Sequence, residues 1–323
     1  MQVQALKSSF GDKATYIGQC LELAILLEVS SDKPGNVNFV TGFEGTNHLH
    51  FLASAVAAGP HFKRAAHNGV SISKGQLMLS QANVGRLIRD CIAEINAWQS
   101  GGNTLLGTII LFIPMAVAAG MTPMEDKYVF DLQGLRRNLK KVVESTTPED
   151  AVAVYEAIGI AKPSGLGKAP DLDVNDPAST RRILEEKISL YKVFEIASGY
   201  DLVCAEWVND YTVTFDFAYP ALMEEIRLNG DLNTAVIHTF LRVLANYPDT
   251  FIARKVGLER AKEVSAMAEE VIKLGGLNTL EGKAKLYEMD TVLRRESSLL
   301  NPGTTADIIA AALALAVLSG YKP

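Results

Sequence analysis

The stretches TLLGTIILFIPMAVAAG, at residues 104–120, and TADIIAAALALAVLSG, at residues 305–320, decide the fold that we expect. Each would be apolar on every side of a helix, which is typical of a helix buried in a large protein or in a membrane. A membrane span needs about 20 apolar residues, whereas these runs are shorter and contain Pro114 and Asp307. We therefore predict two buried helices inside a protein without a membrane segment.

Hydrophobic periodicity predicts helices along the rest of the chain. Only VTFDFAY, at 213–219, alternates like a strand, and one isolated strand cannot make a sheet. We predict an all-α protein with one large multi-helix domain that covers residues 1–323. The predicted helices cover 16–30, a segment that starts near Asn47, 73–98, the apolar run after 104, 125–144, 148–158, 177–198, 200–209, 223–229, 232–245, 248–256, 258–274, 279–300 and 304–319.

Composition narrows the class of protein. Of the 323 residues, 48% are hydrophobic and 21% are charged, which is normal for a globular protein with a core. The net charge of -6 and the lack of a long basic run argue against nucleic-acid binding. Cys20, Cys91 and Cys204 are isolated, which indicates neither a disulfide framework nor a zinc knuckle. We expect a cytoplasmic setting, because the first 16 residues do not resemble a secretory signal.

The segment LEVSSDKPGNVNFVTGFEGTNHLHF, at residues 27–51, separates two predicted helices and is unusually rich in polar residues. Connections between helices in compact domains usually have about two to eight residues, and longer ones are often functional. Pro34 and Gly35 break the helix inside this segment. We therefore interpret it as a site loop. His48 and His50 form a weak metal motif, and an exposed or capping role is the better interpretation.

Three further polar clusters interrupt apolar helices, at residues 101–104, 247–257 and 301–307. Gly101 and Gly102 precede a buried helix, whose first N–H groups favour an anion. Asp249 and Asp307 each lie at a helix start, where a carboxylate also stabilises the helix. Asp307 opens a wholly apolar helix and therefore needs a partner such as a metal ion or a basic side chain. Carboxylates near Arg254 and Lys255 suit a polyphosphate bound with Mg²⁺.

The irregular segment GIAKPSGLGKAPDLDVN, at 159–175, has glycines beside Lys168 that could cradle a phosphate. However, no strand precedes it and the Walker pattern is absent. An ordinary linker is the better interpretation of this segment alone.

The polar clusters occur in an order that resembles the triphosphoribosyl-dephospho-CoA synthase family, and most closely its archaeal-type branch. The blocks are E-V-x-x-x-K-P-G-N-V-N, F-E-x-T-x-x-x-x-F-x-x-S-A, G-G-N-T-x-x-G, P-D-T-x-x-x-R-K-x-G and N-P-G-T-T-A-D, between Glu28 and Asp307. The resemblance extends from Glu28 to about Leu318, and residues 121–230 contribute little to it.

The resemblance implies an all-α enzyme that transfers the triphosphoribosyl group of ATP to the ribose 2′-hydroxyl of dephospho-CoA and releases adenine. It implies that ATP and Mg²⁺ are bound and that Glu28, Asp249 and Asp307 hold the metal. These three carboxylates and Glu44 would share the catalytic acid–base roles. The phosphates would be bound by Lys33, Asn36, Asn103, Thr104, Arg254 and Lys255, and the same blocks add Gly35, Asn38, Gly102 and Thr304 to the nucleotide site.

The chain departs from the citrate-lyase-linked members at two places. An acidic H-x-D-M-D block is replaced by residues 46–50, and a Lys after N-T-H is replaced at Leu105 and Leu106. The acceptor therefore stays open between dephospho-CoA and another hydroxyl compound, such as a pterin-cofactor precursor.

Two alternatives also stay open. A different Mg²⁺-dependent nucleotide enzyme on the same scaffold, such as a phosphohydrolase, would produce ADP, AMP or phosphate instead of adenine. A non-catalytic helical binding protein would use the same clusters as caps and turns. Small-residue helix faces suit a homodimer as well as a thick single core.

Overall fold

The computed structural model describes residues 12–124, 128–167, 169–295 and 298–323. Within these residues the chain forms helices and isolated bridges but no strand, so the all-α prediction is confirmed. A π-helix covers Val213–Ala218, and short 3₁₀ turns cover Leu79–Gln81 and Gly276–Asn278. The α-helices are α1 (Lys13–Ser30), α2 (His48–Ser73), α3 (Val84–Trp98), α4 (Leu106–Met121), α5 (Leu132–Glu144), α6 (Pro148–Ala161), α7 (Pro177–Glu185), α8 (Leu190–Ala197), α9 (Leu202–Val208), α10 (Tyr219–Asn229), α11 (Leu232–Asn246), α12 (Thr250–Val256), α13 (Leu258–Lys273), α14 (Leu280–Arg295) and α15 (Gly303–Leu318).

Helices α4 and α15 form the centre of the molecule, as the two apolar stretches predict. Nearly every residue of both helices is buried. Helix α4 packs against α2, α3, α5 and α1, while α15 packs against α1, α4 and the helices from α9 to α12. None of the helices in the described part of the chain combines the length and hydropathy that crossing a membrane requires. Their apolar surfaces are covered by the surrounding helices.

Two glycines allow α2 and α4 to cross at close range. A Cβ atom on Gly69 would overlap the carbonyl oxygen of Val117, and one on Gly120 would overlap the carbonyl oxygen of Ala66. Because the backbones touch at this crossing, the small residues of α2 are a packing requirement.

Residues 213–219 do not form a strand, although the alternation of their apolar and polar side chains suggests one. It forms the π-helix, which continues directly into α10. The buried carboxylate of Glu206 accepts hydrogen bonds from the backbone N–H groups of Val213 (2.8 Å) and Thr214 (2.9 Å). A lone strand would leave its backbone groups without partners in the interior, whereas the helix satisfies them locally.

The prediction of one helix at 73–98 was wrong for the residues before Val84. Helix α2 ends at Ser73, and α3 begins only at Val84 after a 3₁₀ turn. Gly75 (φ 68°) and Asn83 (φ 54°) adopt left-handed backbone conformations in between. Such residues cannot continue a right-handed helix.

Other helix boundaries also differ from the predictions. The helix predicted at 177–198 is divided into α7 and α8, because Lys187 has a left-handed backbone (φ 55°). The helix predicted at 125–144 begins at Leu132, where Asp131 caps it, and residues 125–127 lie outside the described residues. Helix α10 starts at Tyr219 instead of residue 223. The capping role predicted for Asn47 is confirmed.

Replacing Gly69 with Ala should lower the free energy of unfolding by about 1–3 kcal/mol, since the added methyl group overpacks the crossing of α2 and α4. The matched control is Gly159→Ala in α6, where an added Cβ meets no neighbour within 4 Å. That change should raise the free energy of unfolding by about 0.5–1 kcal/mol through helix propensity. Denaturant unfolding of both variants measures the effects. Equal stability of the two variants would show that the crossing is not closely packed.

Candidate functional site

A cavity of about 190 Å³ lies where the N-terminal ends of α4 and α15 meet the C-terminal end of α1. The first residues of both buried helices line it, and so do parts of the 27–51 segment. The unpaired N–H groups of helix starts carry partial positive charge, so this arrangement favours an anion. The 27–51 segment and the three further polar clusters therefore meet around one space, although not every predicted residue reaches it.

Asp307 is the fifth residue of α15, just after its first turn, and lines the cavity. The hydroxyl group of Thr108 in α4 donates a hydrogen bond to its carboxylate (2.5 Å). Burial raises the pKa of Asp307 to about 8; the Thr108 bond opposes this shift, and the nearby carboxylates of Glu28 and Asp249 add to it. A Cβ atom at Gly107 would overlap the Asp307 carboxylate, so glycine is needed there for α4 and α15 to approach.

Glu28 reaches the cavity from the last turns of α1. Burial raises its pKa, and the neighbouring Lys33 opposes the shift. The Nζ atom of Lys33 lies 3.1 Å from Oε1 of Glu28 and also donates to the carbonyl oxygens of Glu28 and Ser31. Lys33 is fully buried and does not line the cavity. Its predicted contact with phosphate would therefore require it to leave Glu28.

Asp249 is fully buried behind the residues that line the cavity, and it does not line the cavity itself. Its carboxylate accepts hydrogen bonds from the backbone N–H groups of Phe251 (2.9 Å) and Ile252 (3.0 Å) at the start of α12. It also accepts from the backbone N–H (2.7 Å) and the hydroxyl group (2.8 Å) of Thr305 in α15. Burial raises the pKa of Asp249, and these hydrogen bonds oppose that shift. The carboxylate thus ties two helix starts together, a role that accounts for its burial without a metal ion.

Arg254 brings a positive charge to the cavity. Its guanidinium group pairs with Asp201 and lies 5.7 Å from the centre of the Phe251 ring. Asp201 also lines the cavity and caps α9 through the N–H groups of Val203 and Cys204. The sequence analysis missed Asp201. An N-capping Asp before a short helix was the available signal, but it did not indicate a partner 53 residues away.

Lys255 follows Arg254 in the sequence, but its side chain does not line the cavity. Its ammonium group donates to the carbonyl oxygen of Ser298 and lies 3.9 Å from the centre of the Phe251 ring. Burial lowers the pKa of Lys255 to about 8. Its side chain is absent from the cavity wall in the part of the chain that the structure describes.

Only some residues of the 27–51 segment line the cavity. Asn36 lines the cavity, and its backbone is fixed by a hydrogen bond from Arg294 to its carbonyl oxygen (2.7 Å). Gly35, whose left-handed φ is 69°, donates its N–H to Asp290 (2.7 Å). Asn38 closes a turn by accepting from the N–H groups of residues 40 and 41. Glu44 is exposed and lies outside the cavity wall.

The cluster at 101–104 lies just before the start of α4. Asn103 and Thr104 line the cavity, and the Asn103 side chain accepts from the N–H of Leu106 (3.2 Å). The hydroxyl group of Thr104 lies 2.8 Å from that of Ser54 in α2. Gly102 adopts a left-handed conformation (φ 75°) just outside the wall. On the opposite side Thr304 lines the cavity and is hydrogen-bonded to the hydroxyl of Thr250.

Of the two histidines, His50 takes part in capping a helix, whereas His48 does not. The His50 ring accepts the N–H of Asn47 (3.0 Å) in a capping box, and His48 packs on Phe39. Among the described residues, no group of three or more His, Cys, Asp or Glu side chains forms a ready metal site. In the 159–175 segment Lys168 lies outside the described residues, while Pro163 and Leu166 line the cavity.

Comparisons with known proteins agree with the sequence blocks. The sequence model of the ATP:dephospho-CoA triphosphoribosyl transferase family matches residues 14–323. A "2-(5''-triphosphoribosyl)-3'-dephosphocoenzyme-A synthase" from Pectobacterium atrosepticum is 30% identical over 116 residues, which cover 36% of this chain and 33% of that protein. A "Probable 2-(5''-triphosphoribosyl)-3'-dephosphocoenzyme-A synthase" from Malonomonas rubra is 30% identical over 107 residues, or 33% of each chain. The match thus spans about a third of the length of these curated relatives.

A solved structure shares the fold. The crystal structure of an Archaeoglobus fulgidus protein, described as a "putative triphosphoribosyl-dephospho-coA synthase", has a TM-score of 0.59 and 21% sequence identity. The superposition covers 84% of this chain and all of the other. At this level of identity the similarity supports the helical architecture.

Asp307→Asn should flatten the dependence of stability on pH. The folded protein holds a proton on Asp307 up to about pH 8, whereas the unfolded chain releases it near the ordinary value of 3.8. The stability that this proton provides is therefore present at low pH and is lost as the pH rises to 8. Relative to the wild type, the variant should gain stability between about pH 5 and about pH 8, as measured by urea unfolding. A constant difference between the two proteins across that range would contradict the assignment.

Proposed function

Because the chain belongs to the ATP:dephospho-CoA triphosphoribosyl transferase family, we propose that it transfers the triphosphoribosyl group of ATP to a hydroxyl group and releases adenine in the cavity between α4 and α15. Dephospho-CoA is the proposed acceptor. The observation that carries this proposal is the meeting of two helix starts with the carboxylates of Glu28 and Asp307. The helix starts suit phosphate groups, and the carboxylates suit a cationic sugar centre and a metal ion.

The charge balance of the wall supports a requirement for a divalent cation. Among the described residues that line the cavity, Glu28, Asp201 and Asp307 are acidic and Arg254 is basic. Arg254 already pairs with Asp201, and the nearest lysine behind Glu28 is also paired. A triphosphate therefore meets no unpaired side-chain cation in this wall. A bound Mg²⁺ would supply the missing positive charge to the phosphate oxygens.

Glu28 is the better candidate for holding Mg²⁺. A metal ligand has to be ionised. Burial raises the pKa of Glu28, but the ammonium group of Lys33 at 3.1 Å opposes that shift and favours the ionised form. Mg²⁺ commonly binds one or two carboxylates together with substrate phosphates, so the lack of a larger ligand cluster is compatible with this role. Asp307, with its pKa near 8, is the poorer ligand at neutral pH.

Asp307 is suited to the proton transfers. In the proposed reaction the bond between the ribose C1 atom and adenine N9 breaks, and the acceptor oxygen forms a new bond to C1. The hydroxyl group loses one proton and the departing adenine gains one. A carboxyl group with a pKa near the working pH can accept and return a proton efficiently. Asp307 meets that condition, and its ionised form also stabilises positive charge at C1.

The proposal is tested by incubating the purified protein with ATP, Mg²⁺ and dephospho-CoA and separating the products by chromatography with mass detection. Free adenine and a triphosphoribosyl adduct of dephospho-CoA are expected, and neither should form when Mg²⁺ is removed by chelation. Adenine without the adduct would mean that another hydroxyl compound is the acceptor. ADP, AMP or phosphate as products would overturn the proposal in favour of a phosphohydrolase.

Asp307→Asn should reduce the rate of adenine release by at least about 100-fold, because the amide cannot exchange the proton. The affinity for ATP with Mg²⁺, measured by calorimetry, should change little. Asp131→Asn is the matched control, since Asp131 caps α5 and does not line the cavity. Full activity of the Asp307 variant would exclude Asp307 from the chemical step.

A further inference from the structure

The residues that line the cavity come from two parts of the chain. The sequence blocks around Glu28, Asn103 and Asp307 supply most of the polar ones. Residues 158–204 supply an apolar group, which consists of Ile158, Pro163, Leu166, Phe194, Val203 and Cys204. All six belong to residues 158–204, in the part of the chain that contributes little to the family blocks. The only charged residue of this segment in the cavity wall, Asp201, is already paired with Arg254.

One residue of this apolar group, Phe194, is held in place by close packing. The Phe194 ring packs edge-on against Trp207, with ring centres 4.8 Å apart. Trp207 is fully buried, and its indole N–H donates to the carbonyl oxygen of Ile110 in α4 (3.2 Å). The position of Phe194 is therefore fixed by packing before any ligand arrives.

The loop after α6 contributes Leu166 to the cavity wall. This residue lies between Gly165 (φ 71°) and Gly167 (φ 61°), and both glycines adopt left-handed conformations. Gly165 lies against the side chain of Lys255, and a Cβ atom there would overlap it. Further along, the Tyr155 hydroxyl donates to the carbonyl oxygen of Leu172. These contacts hold the loop against the body of the protein with Leu166 in the cavity wall.

We infer that this apolar group of residues, which we call the ring pocket, binds the purine ring of a substrate against Leu166 and Phe194. The inference rests on the proposed function, because the phosphates belong with the helix starts and the purine ring is the flat, uncharged part that both proposed substrates carry. Burial of its faces against aliphatic and aromatic side chains stabilises such a ring. The ring has two sources, ATP and dephospho-CoA, since each carries adenine.

Adenosine is the probe, because it carries the ring without phosphates. Calorimetric titration of the full-length protein should show that Leu166→Asp weakens adenosine binding at least about tenfold, since the variant sets a charge against the ring. The matched control Leu166→Met keeps an apolar side chain of similar volume and should bind adenosine about as well as the wild type. Gly165→Ala, which displaces the loop from Lys255, should weaken binding as well. Thermal unfolding checks that each variant is folded.

Steady-state kinetics with the same variants identifies the source of the ring. A rise in KM for ATP alone assigns the ring pocket to the donor, and a rise in KM for dephospho-CoA alone assigns it to the acceptor. Equal adenosine binding by the wild type, Leu166→Asp and Gly165→Ala would overturn the inference, and so would a wild type that does not bind adenosine. The titration needs no turnover. If no adenine is released in any assay, the proposed function fails while the ring pocket is still decided by the titration.

Discussion

The structure depends on the burial of two helix starts, those of α4 and α15, at one cavity. The first N–H groups of a helix have no partners within it, and burying them is costly unless other groups accept their hydrogen bonds. Here side-chain oxygens do so: Asn103 accepts at α4, and Asp249 accepts at α15. Asp307 joins the two helices through Thr108. The same arrangement that completes the fold therefore concentrates polar groups and positive helix ends in an otherwise apolar interior.

The burial of these groups also determines how the charged side chains around the cavity are paired. The positive side chains near the cavity are mostly committed within the protein: Lys33 to Glu28, Lys255 to the backbone of Ser298, and Arg254 to Asp201. Buried charges are retained only when they are paired, so these contacts explain why the lysines do not line the wall. The cavity is left with more carboxylates than free cations, which favours a substrate that arrives with its own metal ion.

Much of the fold could be predicted from the sequence, because the runs at 104–120 and 305–320 are apolar on every side and too short for a membrane. That Asp307 has a partner also followed, since a carboxylate in such a helix needs one, but the partner in the structure is the hydroxyl group of Thr108 and not a basic side chain. The position of Asp249 behind the cavity wall could not be predicted, because its partner Thr305 comes from a distant helix. The π-helix was missed because the alternation at 213–219 resembles a strand, and only the buried Glu206 shows how that backbone is capped.

The contribution of residues 158–204 was likewise hidden from the sequence. Loop glycines and apolar residues at 163–166 are compatible with an ordinary linker, and only their packing against Lys255 and beside α9 turns them into a wall. Local patterns carry information about helices and caps, whereas the shape of a cavity depends on contacts between segments far apart in the chain.

The most direct test of the central claim is a crystal structure of the protein with ATP and Mn²⁺, in which anomalous scattering locates the metal. The account predicts an anomalous peak beside the Glu28 carboxylate, with the triphosphate at the N-terminal ends of α4 and α15. A nucleotide bound elsewhere on the surface, or a metal without contact to the cavity carboxylates, would contradict it.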